Sequence, residues 1–329
     1  MNTFRTVIPP TNFPFKISHK DRIMCLGSCF TENMGRFMSD SKFLTLINPF
    51  GIIYNPMSIC RAIDMILGNS AVSNSDLVLI NDRYYHWDFH GDFSGVGIDE
   101  TSQLLTTKIN HAHKFIQEAD AIFFTLGTAN VFKLIDNNHI VANCHKYPNE
   151  KFNRIALKVD EIIGQFQNTI ESLSLLNPNL KVVFTVSPVR HLRDGLVNNQ
   201  LSKAKLLHAV HQLCEANEHV YYFPSYELVM DDLRDYRFYS NDMIHLNETG
   251  LDYIWDFFKQ SFFTNDTTSK IESINKINKE IAHKPFYPDS DQHQKFLLNL
   301  LTKIKRLENT DSHLNYSKEK MLIMKQIKN

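Results

Sequence analysis

Residues 22–35 read RIMCLGSCFTENMG, and two elements meet inside them. Ile23, Met24, Cys25 and Leu26 are consecutive apolar residues, the mark of a strand buried on both faces, and Gly27-Ser28 ends the run. From Thr31 to Met38 the pattern is helical. Ser28 therefore stands at a strand-to-helix turn, where two roles are open to it. It can cap the helix by accepting a backbone N–H. It can also be a nucleophile at the carboxyl edge of a sheet, beside the free N–H groups that a helix start offers to an anionic intermediate.

The same unit recurs along the chain. FLTLI precedes a helix over Pro56 to Leu67, AIFFTLG is followed by one over Phe152 to Leu176, KVVFTVSP by one over Gln200 to Cys214, and VYYFPS by one over Glu248 to Phe263. Buried β-branched and aromatic runs alternating with helices predict an α/β fold, a mainly parallel sheet with helices on both faces and its ligand site off the carboxyl ends of the strands. Ser28, Gly127 and Ser187 each follow such a strand, so all three converge on one edge. Two insertions interrupt the alternation. Leu77 to Gly95 reads as a hairpin turning at Asn81-Asp82, VFKLIDNNHIVANCHK as a second with Asp136 to Asn138 at its tip, and Glu100 to Glu118 as a helix between the first hairpin and AIFFTLG. After Phe263 the composition becomes polar and lysine-rich. The expected division is a domain over residues 1–265, then a linker and helical tail over 266–329. In that tail Gln294 to Leu307 carries an apolar helical stripe, and the residues beyond about Asn309 fray.

Composition narrows the function. With 329 residues, 43% of them hydrophobic, the chain can bury a full core, and 35 basic against 36 acidic residues leave no field to attract nucleic acid or an anionic membrane. Prolines interrupt the amino-terminal segment where a signal peptide needs an apolar run, and no stretch is apolar enough to span a bilayer, so a cytoplasmic protein is expected. The 5 cysteines form no CxxC pair, and the close histidine pairs lack the flanking ligands of metal motifs. No cofactor and no metal are expected; oligomeric state is left open by the sequence.

Chemistry concentrates near residues 239–258, YSNDMIHLNETGLDYIWDFF. Asp242 stands three residues before His245, and Asn247 can cap the helix that follows. A carboxylate accepting Nδ1–H orients an imidazole so that Nε2 can take a proton from a nucleophile. Ser28 after the first strand, a glycine motif after a middle strand and DMIHLNETG before the last helix together resemble the SGNH (GDSL-type) hydrolase superfamily. GSCF (27–30), NPFGIIYNP (48–56), TLGTANVF (125–132), NCHK (143–146), SPVRHLRDG (187–195) and YFPSYELVMDDLRDYRFYSNDMIH (222–245) resemble more specifically the GSCFA-domain family of bacteria.

That resemblance implies an α/β/α sandwich in which Ser28 is the nucleophile, His245 its base and Asp242 the orienting carboxylate. It implies an oxyanion hole from the Ser28 N–H, the Gly51 N–H and an asparagine side chain. In GTAN the expected asparagine position holds Ala129 and Asn130 comes one residue later, so either Asn130 fills the role through a one-residue bulge or backbone N–H groups form the hole alone. Cys29 is the alternative nucleophile, read as facing the core. Arg190 and His191, with Ser187 and Arg193, are candidates to bind a substrate carboxylate or phosphate, or to pair with Asp194, Asp231 or Asp235 instead. His90 and His145 on the inserted hairpins are candidates to reach the pocket, and Ser202 and Lys203 read as openers of a helix. The implied activity is hydrolysis of a small ester, such as an O-acyl group on a carbohydrate or related metabolite. An acyltransferase using the same triad and a non-catalytic ligand-binding module on the same fold are the alternatives.

Overall fold

The computed structural model describes residues 5–327. β1 (Arg22–Gly27), β2 (Leu44–Ile47), β5 (Ala121–Leu126), β9 (Lys181–Val186) and β10 (Val220–Tyr222) form one five-stranded sheet in the order β10-β9-β5-β1-β2, every neighbouring pair parallel. The chain starts at β1, adds β2 on one side and then β5, β9 and β10 on the other. The order reverses between β1 and β5, and a crevice opens there at the carboxyl ends.

Strand side chains alternate between two cores. Met24 and Leu26 of β1, with Ile122, Phe124, Phe184 and Val186, pack under α2 (Pro56–Gly68), α3 (Ile98–Gln117), α4 (Val159–Leu176) and α5 (Gly195–Ala216). Ile23 and Cys25, with Phe123 and Val183, pack on the other face against Phe30, Met34 and Met38 of α1 (Cys29–Asp40) and Ile254, Phe258 and Phe262 of α7 (Glu248–Phe262). The result is a three-layer α/β/α sandwich, as the sequence implied.

The first hairpin, β3 (Leu77–Ile80) and β4 (Arg83–His86), turns as read, with Asn81 and Asp82 both at positive φ. The second becomes a three-stranded sheet, because β8 (Phe152–Ala156) pairs antiparallel with β6 (Asn130–Leu134) on the side opposite β7 (Ile140–Val141). Phe152–Ala156 was expected in a helix; Phe152 and Ile155 have helical spacing, but pairing with β6 overrides it, and α4 starts at Val159. After β10 a single turn, α6 (Ser225–Glu227), leads toward the loop before α7.

The expected linker is also a helix. α8 (Asn265–Ala282) is capped by Thr264 and buries Ile271, Ile274 and Ile277 on one side of an otherwise polar sequence. α9 (Asp291–Thr310) and α10 (Ser317–Met324) close a separate small core in which Ile274, Leu300, Ile304, Leu314, Tyr316 and Ile323 are buried. The segment expected to fray is therefore docked. Lys42, just beyond α1, ion-pairs with Glu319 and lies 4.6 Å from the Tyr316 ring centroid. Among the described residues no helix is long and apolar enough to cross a membrane.

Candidate active site

The crevice at the β1/β5 reversal is a cleft of about 620 Å³ whose walls include Cys29, Tyr54, Thr128, Asn130, Arg190, His191 and His245. Its floor is built from three strand ends. Gly27, at φ +146°, is required by close approach: a Cβ there would lie 2.2 Å from the Thr125 carbonyl oxygen of β5. The Ser28 N–H donates to that same oxygen at 3.2 Å. After β5, the N–H groups of Gly127 and Thr128 donate to the Tyr54 carbonyl at 2.8 and 3.0 Å. Beneath them the Lys203 Nζ donates to the carbonyls of Gly127 and Ser187, each at 2.6 Å. Gly127 and Ser187 thus converge as the sequence implied, with a lysine holding them together.

Lys203 and Ser202 do not open a helix; they lie within α5 and are buried. Ser202 Oγ accepts the Ala129 N–H at 2.7 Å and lies 3.0 Å from Thr128 Oγ1. The signal was present in the spacing. Asn199, Ser202, Lys203, Leu206, Ala209, Val210 and Leu213 recur at helical intervals, which puts both polar residues on the buried face. Burial pushes the Lys203 pKa down to about 7.

Ser28 lies at the head of α1, next to the cleft-lining Cys29. It is 1% exposed, in extended conformation, and its Oγ accepts the Phe30 N–H at 3.3 Å as the N-cap of α1. The next side chain, Cys29 at the first helical position, is partly exposed and lines the cleft instead of facing the core. Burial pushes its thiol pKa up, and the Phe30 N–H acts in the opposite direction.

On the far wall His245 Nδ1 lies 2.7 Å from Asp242 Oδ2, and Asp242 Oδ1 accepts the N–H groups of Ile244 and His245 at 2.9 and 3.0 Å. Those bonds, the imidazole's first, hold the Asp242 pKa down to about 2. Asn247 caps α7 through the Gly250 N–H at 3.0 Å, as its position implied.

The remaining candidates divide. Asn130 lines the cleft, but its Nδ2 donates to Asp194 at 2.6 Å, and Asp194 also pairs with Arg154. Arg190 donates to the Tyr239 hydroxyl at 2.9 Å, with its guanidinium 4.7 and 5.5 Å from the Tyr239 and Tyr236 ring centroids; aromatic rings hold it where an ion pair was the alternative. His191 packs edge-on to Tyr54, and burial pushes its pKa down to about 4, with the charges of Lys203, Arg154 and His245 adding to the shift. His145 also lines the cleft, but its Nε2 donates to the His86 carbonyl at 2.9 Å, its ring lies against Tyr85 and Trp87, and burial brings its pKa to about 4.

Two candidates do not reach the cleft. The Gly51 N–H, expected in the oxyanion hole, is spent in a turn on the Asn48 carbonyl at 2.7 Å. His90 packs against Gly51, where a Cβ would come within 2.2 Å of the histidine Cβ, and its Nδ1 accepts the Asp92 N–H at 3.4 Å. Gly51 lies on the tight turn before α2 and His90 follows β4, its N–H donating to the Phe50 carbonyl at 2.8 Å; the wall of the cleft from the segment before α2 is formed by Tyr54 and Asn55.

A parallel α/β sandwich with a His–Asp pair and a helix start facing one cleft at the strand-order reversal defines the class. Within it the chain belongs to the GSCFA family, whose model matches residues 22–258, and the model of the GSCFA domain protein C-terminal domain matches residues 274–329. No curated protein matches the chain. Among solved structures it is similar to a carbohydrate esterase family 3 protein from Talaromyces cellulolyticus, at 12% identity over 78% of this chain and 99% of that one, with a TM-score of 0.36. It is also similar to a Clostridium thermocellum family 3 carbohydrate esterase, at 14% identity over 77% and 98%, TM-score 0.33. A third is a putative platelet activating factor from Streptococcus pneumonia, at 13% identity over 73% and 83%, TM-score 0.38.

Proposed function

We propose that this GSCFA protein is an acyl hydrolase that cleaves a small ester through a covalent intermediate. A nucleophile at the head of α1 attacks the ester carbonyl; His245, held by Asp242, takes its proton and returns it to the leaving alcohol. Water then releases the acyl group by the same route. The observation that carries this reading is the 2.7 Å bond from His245 Nδ1 to Asp242 Oδ2, which leaves Nε2 free on a ring that lines the same cleft as the first residue of α1. N–H groups of the first turn of α1 supply positive potential where an oxyanion would develop.

The cleft volume, about 620 Å³, suits a small molecule, and a wall of Tyr54, Asn130, Tyr147, Arg190 and His191 suits a hydroxylated one. An O-acyl carbohydrate or related metabolite is therefore the proposed substrate class. Transfer to a second alcohol in place of water uses the same residues. The binding-module reading draws on one observation: Asn130, the amide nearest the expected oxyanion position, is already bound to Asp194.

The test is turnover of p-nitrophenyl acetate by the full chain and by His245→Ala. The variant is expected to lose about 100-fold or more in kcat. Equal rates in the two proteins, or no cleavage by the parent of any short-chain acyl ester tried, would overturn the hydrolase reading.

A further inference from the structure

We propose that the ester taken by this cleft carries an oxyanionic group, a carboxylate or a phosphate, on its alcohol portion, and that the guanidinium of Arg190 receives it, with Arg193 as a second cation. The proposal rests on the hydrolase reading above and narrows its substrate class. Charge in the cleft is one-sided. Among the described residues of its lining, Lys146, Arg154, Arg190 and Arg193 are cationic and Asp194 is the single carboxylate. Asp194 is already engaged, by an ion pair with Arg154 and by the Asn130 amide at 2.6 Å. The Asp242 carboxylate next to the cleft is taken by His245 at 2.7 Å. Glu32, on α1, lies outside the lining, although its charge reaches Tyr54.

No carboxylate pairs with Arg190 or Arg193 among the described residues. Arg190 donates to the Tyr239 hydroxyl at 2.9 Å and Arg193 to the Asn149 side-chain oxygen at 3.2 Å, each guanidinium lying beside an aromatic ring. An arginine held in this way differs from one neutralised by an acid. Tyr239 takes one N–H donor and the rings of Tyr239 and Tyr236 lie at 4.7 and 5.5 Å, which fixes the guanidinium and leaves its charge uncompensated. A guanidinium fixed beforehand binds carboxylate or phosphate oxygens through two parallel N–H bonds.

The same anchor ties Arg190 to the reacting histidine. Tyr239 bridges to Leu246, and the Ser240 N–H donates to the His245 carbonyl at 2.8 Å, so the ring that holds Arg190 and the turn that carries His245 belong to one closed loop. An anion seated on Arg190 is thereby kept at a set separation from the imidazole, which is how a binding group positions a scissile bond. The positive charges also reach the cleft wall. Burial pushes the Cys144 thiol pKa up to about 11, and the charge of Arg193 opposes that shift.

The experiment compares acetyl esters on one three-carbon scaffold: neutral 1-O-acetylglycerol, 3-O-acetylglycerate and 1-O-acetylglycerol 3-phosphate, with acetate release by the full chain measured at pH 7 and low salt. At least one anionic ester is expected to exceed the neutral one in kcat/KM by about tenfold or more. The carboxylate and phosphate arms show which group the cleft takes, and sodium chloride should shrink the excess. Arg190→Gln should bring the excess to about threefold or less, and Arg193→Gln, at an exposed position, should reduce it by a smaller factor. Melting curves check that both variants fold, and the ratio in the parent needs no variant. If Arg190 only braced Tyr239, its loss would slow all the esters alike; an unchanged ratio in Arg190→Gln therefore overturns the proposal. Equal kcat/KM for all the esters in the parent, or cleavage of p-nitrophenyl acetate and none of them, overturns it too, and each of these results leaves the hydrolase standing. If no ester is cleaved at all, the hydrolase reading falls and calorimetric titration with glycerol 3-phosphate and glycerate decides the site by itself. Binding that Arg190→Gln weakens about tenfold keeps the anion site, and no binding of either compound overturns it.

Discussion

Lys203 Nζ donates to the Gly127 carbonyl at 2.6 Å from a fully buried position in α5, which ties the helical layer to the strand end that floors the cleft. With the equal bond to Ser187, it fixes the spacing of β5 and β9 at their carboxyl ends. Lys203→Met keeps most of the volume but leaves two buried carbonyls without donors, and each such loss costs about 1–3 kcal/mol. A clear fall in melting temperature is expected. The pH dependence carries its own signature. The folded pKa is about 7 against ~10.4 when unfolded, so between those values the unfolded chain binds the extra proton and stability rises with pH. Urea midpoints of the parent should climb over that range through this group, and the climb should flatten in Lys203→Met.

Asp242 is exposed and works through its hydrogen bonds, three of which converge on one carboxylate. With its pKa held to about 2, it stays ionised throughout the range in which the protein can be assayed. Its protonation therefore cannot produce an acid limb in turnover above about pH 3. Asp242→Asn keeps an acceptor for the two backbone N–H groups but can present N–H to the ring and favour the wrong tautomer, for which losses of about 10⁴ in kcat are known in a buried triad. Because this pair is solvent-exposed, a smaller loss is expected, about 10- to 100-fold, with an unchanged melting temperature.

Asn130→Ala tests whether the displaced asparagine supplies the oxyanion donor. An oxyanion donor removed costs about 100-fold or more in kcat. Since the Asn130 amide is held by Asp194 at 2.6 Å, the expected loss is below about tenfold, with a modest fall in stability as Asp194 loses one of its two partners. A hundredfold drop at unchanged stability would return Asn130 to the oxyanion hole.

The sheet and its helices were legible because the strand runs are unbroken and the helical stripes long. The His245–Asp242 pair was legible because both residues sit on one short turn, where three positions determine the contact. The start of α1 was not legible: the helix begins at Cys29, two residues earlier than the helical pattern starting at Thr31 suggests, with Ser28 as its N-cap. Gly51 and His90 were misplaced for a related reason. The Gly51 turn is set by Asn48, whose side chain accepts the Gly27 N–H at 2.9 Å from 21 residues away, and His90 is held against it by its N–H bond to the Phe50 carbonyl at 2.8 Å, contacts with no local pattern.

His145 predicts an acid-side effect on stability. Its ring is 6% exposed and its folded pKa is about 4, against ~6.5 in an unfolded chain. Its contribution is complete above pH 6.5, where both states are neutral. As pH falls through the interval to about 4, the unfolded chain takes up the proton first and stability declines, by about 2–4 kcal/mol from this group. Denaturant midpoints measured from pH 7 to 4 should fall accordingly. His145→Asn, chosen because residue 145 has φ +50° and asparagine tolerates that region, should be less stable at pH 7 but lose less on acidification.

The last prediction concerns the carboxyl-terminal residues, whose polar composition suggests a dispensable tail. Leu314, Tyr316 and Ile323 are nonetheless buried against α8 and α9, with Tyr316 at 0% exposure. Burying a large apolar side chain contributes about 1.5–3 kcal/mol, so ending the chain at Asn309 removes several kcal/mol of packing together with the ion pairs Lys42–Glu319 and Lys320–Glu308. The expected result is a melting temperature lower by many degrees, and truncation within three degrees of the parent would mean that the docked segment adds nothing. Activity should respond differently. The tail meets the chain at Lys42, beyond the carboxyl end of α1, whereas the residue offered to the cleft is at the other end of that helix, Cys29. Measured well below its melting temperature, the truncated protein should therefore turn over p-nitrophenyl acetate at the parent's kcat.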